Sequence, residues 1–242
     1  MSAIQIIILV IFGVDSLIHL YGQYIFIKGK EKLGKLIEYI TKPLLLPLII
    51  AFYLTYLPAV NWWYIAGMIG GFLGDVFLML PDPSGKKTSF KIGLIAFLLG
   101  HVFYVVALIQ NYVAWLQISW EAVGFPWLPL VLAVAFIVYG LIIGFLLLPH
   151  CGKLKIAVLV YLIVIVLMGI STTIIGWKGM KPGVITLIVG ASLFVVSDTY
   201  NAFGRFVKPI PNERLIVMST YIIGQFLMLL GYIIISELTV FS

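Results

Sequence analysis

Eight stretches of this chain are long and apolar enough to cross a bilayer, and no other feature limits its fold so tightly. A membrane-spanning helix needs about 20 apolar residues at 1.5 Å of rise each. Among the 242 residues, such segments fall at about 3–27, 43–58, 62–80, 92–113, 126–149, 156–177, 184–206 and 214–238. The composition agrees: 63% of residues are hydrophobic, 10% are charged, and the mean hydropathy is +1.18. About a quarter of a soluble domain is charged, so a soluble enzyme, a disordered chain and a disulfide scaffold are excluded. No segment alternates as a β-barrel strand does. The fold class is therefore all-α: a polytopic membrane helix bundle with eight transmembrane helices, a single integral domain over 1–242. Met1 to Phe12 carry no Lys or Arg ahead of the apolar run, which makes a poor signal peptide, so the first segment is expected to be a retained helix.

The net charge of +6 sorts by loop. Lys28, Lys30, Lys32, Lys35 and Lys42 fall in the first loop, Lys86, Lys87 and Lys91 in the third, Lys153 and Lys155 in the fifth, and Arg205, Lys208 and Arg214 in the seventh. Only Lys178 and Lys181 fall in even loops. The positive-inside rule then puts the odd loops in the cytoplasm and both termini outside, in a cell (inner) membrane. The charge thus speaks for orientation, with no nucleic-acid partner. The stretch from Lys28 to Lys42 reads either as a solvated basic loop or as a segment lying on anionic headgroups. Trp62, Trp63, Trp115, Trp120 and Trp127 read as interfacial belt residues. Pro58 to Asn61 forms a tight hairpin between the second and third spans. The single cysteine, Cys151, excludes an intrachain disulfide.

Ionisable groups in hydrocarbon are costly and call for a reason. They are Asp15 and His19 in the first span, Asp75 in the third, His101 in the fourth and Asp198 in the seventh, with Lys42 at the start of the second. Tyr104, Tyr161, Ser197, Tyr221 and Gln225 accompany them. His19, Asp75, His101, Tyr161, Asp198 and Gln225 fall about 8 to 16 Å from the cytoplasmic boundary. A shared depth suggests a polar cavity open to that leaflet. Blander readings apply to several. Asp15 and His19, four apart, form a pair that locks one helix. His101 is a satisfied core histidine, Tyr104 is a packing residue, and Tyr221 with Gln225 is interhelical glue. Gly67, Gly70, Gly71 and Gly74 mark a close helix contact without chemistry.

The third and fourth spans and the seventh and eighth carry related landmarks: Asp75 precedes His101 by 26 residues, and Asp198 precedes Gln225 by 27. Such spacing suggests a parallel 4+4 repeat.

At these residues the chain resembles the YhhN-like, or lysoplasmalogenase, family. The pieces that carry the resemblance are Thr41-Lys-Pro-Leu44, Gly74-Asp-Val-Phe-Leu-Met-Leu80, Phe97-Leu-Leu-Gly-His-Val-Phe-Tyr104, Tyr161 with Met168, Gly190 to Asp198, and Tyr221 with Gln225. Together they span 41–225 in order. Asp15 and His19 fall outside the matched pattern. The resemblance implies hydrolysis of the vinyl ether bond of lysoplasmalogens to a fatty aldehyde and a glycerophospho-headgroup, without metal or cofactor.

An enol ether hydrolyses by protonation at its β-carbon, and water captures the resulting oxocarbenium ion. This needs an acid, a carboxylate and a base, and glycosidases meet a related need with two carboxyl groups. The expected assignment makes Asp75 and Asp198 that pair, with His101 as base. Lys42 takes the lipid phosphate, and Ser197, Tyr104, Tyr161, Tyr221 and Gln225 contact substrate. Asp15 and His19 lend support, and the partners are a lysophospholipid and the bilayer. The competing readings are an aspartyl protease, which lacks its Gly-x-Gly-Asp and Tyr-Asp motifs here, and a metal-dependent hydrolase on three scattered histidines. A proton-coupled transporter or lipid-binding protein, in which buried Asp and His form a relay, completes them.

Overall fold

In the computed structural model, residues 1–56, 60–81, 88–118 and 127–240 are described, and the side chains of all these but 114–118, 178 and 237–240. Pro58, Lys86, Lys87 and Trp120, and the side chains of Trp115 and Lys178, therefore lie outside the described residues. Eight long helices carry the chain: α1 (Ala3–Ile27), α2 (Glu31–Leu54), α3 (Trp62–Met79), α4 (Thr88–Ile118), α5 (Trp127–Leu147), α6 (Lys155–Ile175), α7 (Pro182–Phe206) and α8 (Glu213–Val240). Each is long and apolar enough to cross a membrane, and no strand occurs among the described residues. The helices fall into two compact units, Met1–Tyr104 and Val105–Ser242, which divide within α4.

In the first unit, Ser2 caps α1 in a reciprocal box with Gln5, satisfying backbone N–H groups that a helix start leaves without partners. The Gln5 amide also donates to Thr55 Oγ1 at 3.0 Å, tying the start of α1 to the end of α2. The turn between them passes through Gly29 at φ +88°, a conformation that suits glycine. Beyond the turn, a Cβ on Gly34 would lie 2.8 Å from the Gly22 carbonyl oxygen, so the two backbones touch there.

That contact explains the largest departure from expectation. The basic segment before Pro43 reads as loop, yet α2 starts at Glu31 and runs through both Pro43 and Pro47. Packing of Gly34 on α1 holds the polar turns helical, where composition alone suggests a loop. The two prolines each remove a backbone donor, a loss that membrane helices tolerate. The other helix ends fall within about five residues of expectation.

Asn61 opens α3: its side chain accepts from the N–H of Trp63 and Tyr64, and its own N–H donates to Tyr53 Oη at 2.9 Å. The core of this unit holds Leu45, Leu46, Tyr53, Tyr64, Met68 and Tyr104. The α3 glycines bring α4 close. A Cβ on Gly70 would stand 2.6 Å from Gly100 Cα, and one on Gly74 2.3 Å from the Phe97 ring.

In the second unit, Pro182 opens α7, where its missing N–H costs nothing. Helices α7 and α8 pack backbone to backbone: a Cβ on Gly190 would lie 2.4 Å from Met228 N, and one on Gly231 2.4 Å from Leu187 N. Leu187, Ala191, Phe194, Met228 and Tyr232 fill the core around that contact. Ile143, Leu147, Cys151 and Val158 form a second cluster where α5 turns into α6, against Phe203 and Phe206 of α7.

Candidate functional site

The polar groups of the first unit form a chain from α1 to α3. His19 Nδ1 lies 2.8 Å from Thr41 Oγ1, whose hydroxyl donates to the Ile37 carbonyl at 2.7 Å. With its hydrogen committed there, Thr41 Oγ1 can only accept, so His19 carries its proton on Nδ1. The Gln23 amide faces His19 Nε2 at 3.2 Å, and the amide group that donates suits the lone pair left on that nitrogen. His19 is fully buried and bridges α1 to α2.

The residue after Thr41 is Lys42, and its Nζ lies 3.2 Å from Asp75 Oδ1, with the two side chains 10% and 5% exposed. Lys42 stands eleven residues into α2, well inside the helix. Thus α1 places Thr41, Thr41 precedes Lys42, and Lys42 pairs with Asp75. The carboxylate is matched in charge although it is buried, the condition under which a charge can leave water.

His101 is reached through Phe97. The Phe97 ring packs on Gly74, next to Asp75, and its carbonyl lies 2.6 Å from His101 Nδ1. Nδ1–H therefore donates to that carbonyl, and in the neutral ring Nε2 carries the lone pair. Gly100, just before His101, rests against Gly70, so the glycine stripe sets where the imidazole stands. Tyr104 is buried edge-on against Tyr64 at 4.9 Å and covers Gly67. Asp15 is 8% exposed, and its Oδ2 has no hydrogen-bond partner among the described residues.

In the second unit the Tyr161 hydroxyl of α6 donates to Asp198 Oδ2 of α7. Asp198 is half-buried. The neighbouring Ser197 turns to α8, where its hydroxyl donates to the Val217 carbonyl at 2.9 Å. On the other side, Thr199 Oγ1 accepts from Tyr139 of α5 at 2.9 Å. Tyr221 is buried edge-on against Phe194 at 5.3 Å, and Gln225 follows Gly224, whose missing side chain admits the Phe194 backbone. Among the described residues, no three His, Cys, Asp or Glu side chains gather as a metal site would need.

Two gatherings therefore emerge from the expected residues: Lys42 with Asp75, which Gly74 and Phe97 link to His101, and Tyr161 with Asp198. Ser197, Tyr104 and Tyr221 have clear packing or backbone partners within their own units. Several participants escape the sequence reading. Gln23 sits one turn from His19 on the same face, a spacing that signals it. Phe97, Tyr139 and Thr199 carry no such signal, because an apolar ring, a tyrosine and a threonine are ordinary in any membrane helix.

Comparison with known proteins places the chain in a family. The family model described as the YhhN family matches residues 37–232. Lysoplasmalogenase TMEM86B of Sus scrofa is 44% identical over 55 residues, covering 23% of this chain and 24% of that protein. The chain thus matches about a quarter of that relative's length. No solved structure matches it significantly.

Proposed function

Because the chain belongs to the YhhN family, we propose that it is a membrane lysoplasmalogenase, cleaving the vinyl ether of lysoplasmalogens to a fatty aldehyde and a glycerophospho-headgroup. The observation that carries this reading is the 44% identity with a lysoplasmalogenase over 55 residues. The buried polar groups fit the chemistry it requires.

Asp198, which accepts a hydrogen bond from the Tyr161 hydroxyl, serves as the acid. Its proton passes to the β-carbon as the C=C electron pair forms the new C–H bond, and the positive charge spreads over the adjoining carbon and the ether oxygen. That charge calls for a carboxylate, the character that Lys42 gives Asp75 within the first unit. Water adds to the cationic carbon and gives a proton to a base, a role that the lone pair on His101 Nε2 suits within the first unit. As the hemiacetal breaks its C–O bond to glycerol, its hydroxyl proton passes to the Asp198 carboxylate and restores the acid, the departing glycerol oxygen takes the proton that the base received from water, and aldehyde is released. Lys42, expected at the lipid phosphate, stands instead inside α2 and holds Asp75. Tyr161 steadies Asp198, and His19 supports Lys42 through Thr41.

Purified protein in detergent tests the reading when it is given a lysoplasmalogen and its ester analogue. Aldehyde from the vinyl ether, with no fatty acid from the ester, supports it. No turnover of either overturns it and shifts weight to proton-coupled transport or lipid binding.

A further inference from the structure

The assignments above leave two cavities unused on the seam of α5 and α7. One, about 190 Å³, is lined almost wholly by apolar groups, among them Leu132 and Phe136 of α5 and Val195 of α7. The other, about 370 Å³, lies against Ile143 of α5 and Thr199 and Phe203 of α7, and reaches Lys208. Tyr139 lines the first, Thr199 lines the second, and the two are hydrogen-bonded at 2.9 Å. The cavities are therefore neighbours along the α5–α7 seam, and the Tyr139–Thr199 hydrogen bond crosses it between them. From Leu132 to Ile143 the seam follows α5 for about 16 Å. One end is hydrocarbon in character, and the other carries the exposed ammonium of Lys208, just beyond α7.

We infer that this seam holds the hydrocarbon chain of a single-chain phospholipid, with its phosphate on Lys208. A long apolar slot with one cation at its end complements a molecule with one chain and one anionic head. Thr199 lies about 10 Å along α7 from the helix end at Phe206. A phosphate at Lys208 therefore sets the glycerol beside Phe203 and the first chain carbons level with Thr199 and its neighbour Asp198. The inference rests on the lysoplasmalogenase reading for the lipid's identity and for the use of Asp198.

A non-hydrolysable alkyl lysophospholipid carrying a photoactivatable group in its chain tests it on the purified native protein. The expected result is labelling of peptides from α5 and α7 that excess unlabelled alkyl lysophospholipid removes and glycerophosphocholine does not. Lys208→Gln should weaken that competition about ten-fold, as loss of one charge-assisted contact does. Ala135→Trp, at an exposed position lining the first cavity, should abolish the label on α5 while thermal unfolding stays unchanged. Labelling elsewhere overturns the inference, as does label on α5 and α7 that competitor does not remove, which marks ordinary bilayer lipid. If Ala135→Trp fails to fold, labelling of the native protein still decides. Competed labelling without turnover of a lysoplasmalogen would sink the enzymatic reading and keep the seam. Turnover with label elsewhere would do the reverse.

Discussion

A lysine and an aspartate placed inside a membrane protein carry opposite costs until they meet, and Lys42 and Asp75 meet at 3.2 Å. Removing one partner leaves the other charge buried, which costs about 3–5 kcal/mol, whereas replacing both by neutral groups costs much less. Lys42→Met should therefore lower stability by about that amount, and adding Asp75→Asn should restore most of it. Unfolding of the three variants in denaturing detergent measures the cycle, and additive losses would mean that the pair carries no coupling. Catalysis sets a separate expectation. Asp75→Asn and Asp198→Asn should each lower aldehyde release about 10²- to 10⁴-fold on folded protein, read as kcat with the vinyl ether substrate. Full activity in both would end the proposed mechanism. The two aspartates are legible in the sequence because charge is so scarce there. The partner of Asp75 is not: Lys42 reads as a headgroup-level residue until α2 is seen to begin eleven residues earlier.

At the scale of the elements, helix number is written in hydropathy, because hydrocarbon admits only long apolar helices. The start of α2 is not, since a polar turn can be loop or helix, and the seat of Gly34 on α1 decides it. The close contact of α3 is legible from its glycines, and α7 and α8 repeat it. Asp75 follows Gly67 by eight residues, and Asp198 follows Gly190 by eight. A Cβ on Gly100, before His101, would meet the Gly67 carbonyl oxygen at 2.9 Å; one on Gly224, before Gln225, would meet that of Gly190 at 3.0 Å. Each aspartate thus follows a backbone-to-backbone helix crossing by eight residues. The crossing should be intolerant of a methyl group. Gly190→Ala would press on the Met228 backbone, which cannot swing aside as a side chain can, and should cost about 1–3 kcal/mol. Gly13→Ala, with nothing within 4 Å of its added carbon, should change stability by less than about 0.5 kcal/mol. Equal melting shifts in the two variants would show that the crossing carries no stability of its own.

For the whole molecule, the basic residues fix an expectation that side-chain geometry cannot replace. Twelve of the fifteen Lys and Arg residues fall in the odd connections or the helix turns beside them, Lys42 lying inside α2, and eight spans return the chain to the side on which it began. The positive-inside rule then predicts both termini outside and Lys153 in the cytoplasm. Cysteine labelling in intact cells reads this directly. The native thiol adds little background: Cys151 is buried, its Sγ–H donates to the Leu147 carbonyl at 3.2 Å, and burial pushes its pKa above the ordinary value. The thiolate is the reactive form, so Cys151 should label slowly at neutral pH and faster only as the medium becomes more alkaline than a free thiol needs. Against that background, Ala3→Cys, at an exposed position, should react with a membrane-impermeant maleimide in intact cells. Lys153→Cys, also exposed, should react only after permeabilisation. The opposite pattern would invert the orientation. Lys208 would then face outward, and a lysophospholipid bound with its phosphate there would come from the outer leaflet instead of the cytoplasmic one.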